Sequence, residues 1–155
     1  MPKQTAPPRS ANGGFTLVEL MVTVAILAIL ATIATTSYTS QIQKSRRTDA
    51  RSAVLDLAGR EEKIFSTANT YAAAPSDLGY GAGAWPITIG SGYYNVSVAS
   101  PDAVGQPGAT FPTYSITATA INAQAADAQC QSLSVDQTGK QSSTGTATPA
   151  TCWGN

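Results

Sequence analysis

Few residues of this 155-residue chain are of types that carry out chemistry. It has no histidine and two cysteines, Cys130 and Cys152. The lack of histidine excludes Ser-His-Asp and Cys-His catalysis and histidine metal sites, and two cysteines are too few for an all-cysteine zinc site. Asp127 and Asp136 are too few carboxylates for a calcium site. The sequence therefore predicts a protein that is not an enzyme and has no cofactor and no metal.

The acid with the most unusual surroundings is Glu19. Residues 15 to 34 are otherwise almost wholly apolar, and the next side chain that is charged at neutral pH is Lys44. A carboxylate within a membrane helix costs about 2.5 to 3.5 kcal/mol, so a functional partner is expected. Cleavage between Gly14 and Phe15 would create that partner, a protonated α-amine. Pairing with the acid of a neighbouring helix staggered by one turn would set the register of an open filament.

One long helix is expected to position Glu19. No proline or glycine occurs between Phe15 and Leu57. Residues 15–38 are long and apolar enough to span a hydrocarbon core, which needs about 20 residues. From Ile42 the pattern becomes amphipathic, with apolar residues at steps near three and four. We therefore predict a helical segment over 15–66, transmembrane over 15–38, whose second half covers other parts of the protein.

The sequence pattern from 67 to 155 is typical of a β-sheet. Three runs alternate apolar and polar side chains: Tyr93–Val98, Tyr114–Ala118 and Leu133–Asp136. No helical pattern separates them, so an antiparallel meander is the simplest arrangement. Its apolar face needs a cover, and the second half of the long helix is the candidate. The predicted fold class is α+β, a long N-terminal α-helix packed on a C-terminal antiparallel β-sheet.

The two cysteines suggest a cellular compartment. Cys130 and Cys152 enclose 21 residues that have little else to hold them. A disulfide would stabilise this 130–152 loop by about 3 kcal/mol, and two free buried cysteines are the alternative. A disulfide implies an oxidising compartment, the periplasm or the cell exterior. Lys3 and Arg9 agree with a cytoplasmic N-terminus, whereas the cations from Lys44 to Arg51 favour the opposite orientation.

The segment Gly14-Phe15-Thr16-Leu17-Val18-Glu19 resembles the prepilin cleavage and methylation motif of the type IV pilin family. The resemblance implies the pilin ladle fold and a short leader, residues 1–14. A prepilin peptidase would cut after Gly14 and methylate the new terminus at Phe15, and Glu19 would act in assembly. The family's usual helix proline is Thr36 here, which favours a straighter helix.

The same resemblance implies a structural subunit of a type IV pilus, most like a minor pilin, serving adhesion, twitching motility or uptake. The expected partners are other pilin subunits, the prepilin peptidase and the inner-membrane assembly machinery. The expected location is the bacterial inner membrane, with a single pass and a periplasmic C-terminus, and afterwards the cell-surface pilus. Alternatives are a pseudopilin of a type II secretion system, a DNA-binding minor pilin for natural transformation, and a membrane-anchored domain that does not assemble.

Two expectations concern charge. After Lys63 the chain has one lysine against four aspartates, a net charge of −3, which argues against nucleic acid as a partner. The cations from Lys44 to Arg51 are interpreted as a solvated helix face. The alternative interpretation is that they pack against Asp56, Glu61 or Glu62 of neighbouring subunits.

Overall fold

The computed structural model describes residues 14–81, 83–100 and 113–154. The predicted leader, apart from Gly14, lies outside these residues. The principal helix, α1, runs from Leu17 to Ala68, about 78 Å at the usual rise per residue. The other elements follow in chain order: a 3₁₀ helix Pro75–Leu78, β1 Ile87–Ile89, β2 Tyr94–Ala99, β3 Ser115–Ala120, a 3₁₀ helix Asn122–Ala126, β4 Ser132–Asp136, β5 Gln141–Thr144 and α2 Pro149–Trp153.

The first part of α1 has the composition of a membrane span. An 18-residue window has a mean hydropathy of 2.5, and none of it is buried within the chain. Its threonine hydroxyls donate to carbonyls one turn back, which satisfies them without water. These bonds run from Thr23 to Leu20, Thr32 to Ile29, Thr35 to Thr32 and Thr39 to Thr35. By length and composition this helix is able to cross a membrane, as the sequence predicted.

The second part of α1 packs on the sheet through one stripe of side chains. Arg47, Ala50, Val54, Leu57 and Glu61 are buried, and their spacing alternates between three and four residues. The sheet contributes the opposite side of the core: Tyr94, Val96, Val98, Ile116, Ala118, Leu133 and Val135. The predicted arrangement, with the amphipathic half of the helix covering the sheet, is therefore confirmed.

The sheet is a five-stranded antiparallel meander in the order β1-β2-β3-β4-β5. The three predicted runs correspond to β2, β3 and β4, whereas β1 and β5 were not predicted. Strand β1 has three residues, and β5 has the wholly polar sequence Gln-Ser-Ser-Thr. No alternation of apolar and polar residues marks β5, because it is held at the edge by backbone pairing with β4 and by hydroxyl hydrogen bonds to that strand rather than by apolar side chains.

The face of the sheet that is turned away from the core carries mainly small uncharged polar groups. In register across the five strands, one row comprises Thr88, Asn95, Thr119, Ser132 and Thr144. The next row comprises Ser97, Thr117, Ser134 and Ser142. These two rows contain no cation that could pair with an anion.

The C-terminal loop is closed by a disulfide between Cys130 and Cys152, whose Cα atoms are 5.7 Å apart. Both cysteines are buried, and the indole of Trp153 donates to the carbonyl of Ser142 at 2.9 Å. Gly145 allows the loop to pass close to its neighbour, because its φ is +128° and a Cβ there would collide with the carbonyl of Gln129. The loop predicted from the cysteine spacing is thus a packed part of the sheet unit.

Candidate functional site

The structure places the motif residues at the start of α1. Phe15 is 77% exposed, and the side chain of Glu19 is also exposed. The backbone N–H of Glu19 donates to Oγ1 of Thr16 at 3.2 Å, so Thr16 caps the helix. The first turn of a helix favours a carboxylate, because its unpaired N–H groups carry partial positive charge.

Thr16 is the residue that the sequence analysis missed at this site. The spacing Thr16-Leu17-Val18-Glu19 is that of a capping box, and this pattern could have identified the helix start. Neither ion pair within the described ranges involves Glu19. The carboxylate is therefore held at a defined position in the first turn and is open to a partner from outside the chain.

A buried ion pair joins α1 to the loop before the first cysteine. Nε and Nη2 of Arg47 donate to the two carboxylate oxygens of Asp127, each at 2.6 Å, and both side chains are at least 96% buried. Gln124 donates to the same carboxylate at 3.0 Å, and Gln129 accepts from Arg47 at 3.1 Å. The backbone N–H of Cys130 also donates to the carboxylate of Asp127.

This network corrects the interpretation of residues 44 to 51 as a solvated face. Arg47 faces the core, because it lies on the same helical stripe as Ala50 and Val54. Arg46 lies over the ring of Tyr93 at 3.5 Å. In the alternative interpretation, Glu61 is not one of the acids available to the cations of a neighbouring subunit, since it is fully buried within its own chain.

Glu61 is a buried carboxylate with incomplete hydrogen bonding. Its Oε2 accepts from the backbone N–H of Ala72 at 2.9 Å, while Oε1 has no partner among the described residues. Burial raises the pKa of Glu61 above its ordinary value of 4.5, the bond from Ala72 opposes this shift, and the charges of Glu62 and Asp77 add to it. The folded state therefore binds this proton more tightly than the unfolded state.

The consequence is a stability contribution that is complete below about pH 4.5 and is lost as the pH rises through the raised pKa. We expect Glu61→Gln to lack this loss, because glutamine still accepts from Ala72 but does not ionise. The measurement is the urea midpoint of both proteins from pH 4 to 8. Asp56 and Asp136 have lowered pKa values and the opposite slope, but they are present in both proteins. If the urea midpoints of the two proteins change with pH in parallel, ionisation of Glu61 does not contribute to the pH dependence of stability.

Comparison with known proteins identifies the family. The family described as "Type IV minor pilin ComP, DNA uptake sequence receptor" matches residues 36–134, and the prokaryotic N-terminal methylation motif matches residues 9–35. A type IV pilin from Shewanella oneidensis is 24% identical, with 64% of this chain and 89% of that chain covered and a TM-score of 0.44. No curated protein matches.

The family match also bears on the expectation about nucleic acid. That expectation came from the net charge after Lys63, and a family described as a DNA uptake sequence receptor does not support it. The count covered only the residues after Lys63 and so omitted the other cations of α1. Together the two matches span the apolar helix and most of the sheet unit. The chain belongs to the type IV minor pilin family described as ComP.

Proposed function

We propose that this chain is a minor subunit of a type IV pilus that binds DNA during its uptake. The observation that carries the proposal is the family match over residues 36–134. This range includes the second half of α1, strands β1 to β3 and most of β4. Because the matching family is described as a minor pilin and a DNA uptake sequence receptor, assembly and binding are the activities proposed for this chain.

Before assembly, the apolar part of α1 anchors the subunit in the inner membrane, with the sheet unit in the periplasm. The disulfide between Cys130 and Cys152 supports this orientation, because it forms in an oxidising compartment. A prepilin peptidase cuts after Gly14, and the assembly machinery then inserts the subunit among other pilins at the cell surface. Glu19 pairs with the amine of a neighbouring subunit and sets the stagger.

The processing step predicts the mass of the mature protein. The mature chain should begin at Phe15 and carry one N-methyl group, because the peptidase acts between Gly14 and Phe15. Intact-mass spectrometry of the membrane fraction and of sheared pili measures this directly. A mature chain that still begins at Met1 would support instead a membrane-anchored domain that does not assemble.

The DNA-binding step is tested with the full mature chain in detergent micelles. A pool of random-sequence DNA duplexes is passed over the protein through several rounds of selection, and the bound fraction is sequenced. A receptor for an uptake sequence should enrich one short motif, since base contacts discriminate while phosphate contacts do not. Absence of binding even at low salt would exclude the proposal.

A deletion in the native host separates the DNA-uptake function from the pseudopilin alternative. Loss of the gene should abolish transformation by DNA that carries the enriched motif, while pili remain present and exoprotein secretion continues. A deletion strain that secretes poorly and transforms normally would favour the type II secretion alternative.

A further inference from the structure

A concave surface beside α1 carries unbalanced positive charge. This cleft, of about 560 Å³, lies between the start of the α1 segment that packs on the sheet and the end of the disulfide loop. Its principal side chains are Lys44, Arg47, Thr48, Arg51, Gln129 and Thr151, and we call it the basic cleft. Gly154 also lies in its wall, close to the Arg51 guanidinium.

Two of the three cations in the basic cleft have no acid opposite them. Arg47 is neutralised by Asp127, whereas neither Lys44 nor Arg51 has a carboxylate within 4.0 Å in the described part of the chain. Arg51 is held in place because its Nε donates to the carbonyl of Cys152 at 2.8 Å, which leaves the outer nitrogens for a ligand. Counted over the described residues, the cleft therefore has a surplus of two positive charges.

The pKa of Arg51 reflects its partly buried position beside another cation. Burial lowers the pKa of Arg51 below its ordinary value, and the nearby charge of Arg47 lowers it further. An arginine still remains protonated at neutral pH, so Arg51 keeps its positive charge in the cleft. A phosphate oxygen is a suitable ligand, because a guanidinium and an ammonium on one wall provide charged donors.

Other surfaces of the described chain lack this surplus. A second cleft is lined by Arg60, Lys63 and Asp77, but Arg60 is paired with Asp56, and the carboxylate of Asp77 in the same lining offsets the charge of Lys63. The outer face of the sheet carries hydroxyl and amide groups in its two main rows. Of these three surfaces, the basic cleft is thus the one whose charge fits a phosphate.

We propose that the basic cleft binds a backbone phosphate of DNA and so positions the duplex on the subunit. This inference rests on the proposed function and adds the location of the sequence-independent contact. Phosphate contacts supply affinity and salt dependence, whereas base contacts made elsewhere supply sequence preference. Removing the cleft's free cations should therefore weaken binding equally for all sequences.

The test compares two double variants of the full mature chain with the same net charge. Lys44→Gln/Arg51→Gln removes the free cations of the cleft, and Lys63→Gln/Lys140→Gln removes two exposed lysines elsewhere. The affinities for a short duplex carrying the enriched motif, and for a scrambled duplex, are measured from about 50 to 200 mM salt. Near-UV circular dichroism confirms that each variant retains the native packing.

We expect the cleft variant to bind both duplexes about tenfold more weakly at about 0.1 M salt, and its slope of log affinity against log salt to fall by about 1. The control variant should change much less. Suppose that the wild-type chain binds DNA, but that both variants weaken binding equally or that the cleft variant binds as tightly as the wild type. Either result would overturn the location proposed for the phosphate contact and leave the proposed function standing. A wild-type chain that binds no DNA would overturn both this inference and the proposed function.

A neighbouring subunit is the competing occupant of the cleft, since its carboxylates would also match the free cations. Filament incorporation of the same two variants distinguishes the two ligands. Normal incorporation of the cleft variant together with weaker DNA binding supports the phosphate site. Failed incorporation with unchanged DNA binding assigns the cleft to subunit contact and overturns the inference.

Discussion

Replacing Glu19 with valine is expected to leave membrane insertion intact and to abolish incorporation into pili. The α1 span remains apolar, so partition into the bilayer should improve slightly. What is lost is the carboxylate that would neutralise the amine created at Phe15. Without that pair the α1 helices still attract one another through apolar surface, but no interaction fixes their axial stagger.

The measurement is the amount of the variant in sheared pili relative to the membrane fraction. Thr16→Val serves as a matched control, because it removes the hydroxyl that caps the helix while keeping the charge of Glu19. Glu19→Gln should behave like Glu19→Val, since it keeps the shape and loses the charge. Wild-type incorporation of both Glu19 variants would show that the acid has no part in assembly.

Replacing Asp127 with alanine is expected to destabilise the sheet unit by about 3 to 5 kcal/mol. The substitution leaves the guanidinium of Arg47 buried without a counter-charge. It also removes the acceptor for Gln124 and for the backbone N–H groups of Gln129 and Cys130. Urea unfolding at neutral pH, followed by the fluorescence of the buried Trp153, measures the loss.

Two further variants are compared with Asp127→Ala. Asp56→Ala breaks the exposed pair with Arg60, in which both side chains are nearly half exposed, and should have a far smaller effect because water solvates the remaining charge. Arg47→Met/Asp127→Leu removes both charges and should recover the part of the loss that comes from the unpaired guanidinium, while the donors of Gln124, Gln129 and Cys130 still lack their acceptor. If Asp56→Ala and Asp127→Ala cost the same, the buried pair does not hold α1 to the loop.

Several features of this protein could be predicted because they depend on neighbouring residues. The apolar run that contains Glu19 and the amphipathic pattern after Ile42 are local periodicities, and a helix follows from them without knowledge of the rest of the chain. The alternation of apolar and polar side chains in β2, β3 and β4 is likewise a local pattern, from which strands are predicted. The pairing of Cys130 with Cys152 was limited to one choice, because the chain has two cysteines.

Other features depend on residues that are distant in the chain. Strand β5 has no apolar alternation, because the β4 edge and the closed loop hold it in place. Asp127 lies 80 residues from Arg47, so the charge pattern of α1 did not indicate which arginine would be buried.

The amino-acid sequence alone thus determined the long apolar helix, the methylation motif, the three central strands and the class of protein that they resemble, since each is set by local pattern. The tertiary structure alone decided which charges of α1 are neutralised and which remain free. A charge is buried or left unbalanced according to what the fold brings opposite it. That is why the count of charges along the chain argued against DNA, whereas the folded protein presents Lys44 and Arg51 in a basic cleft.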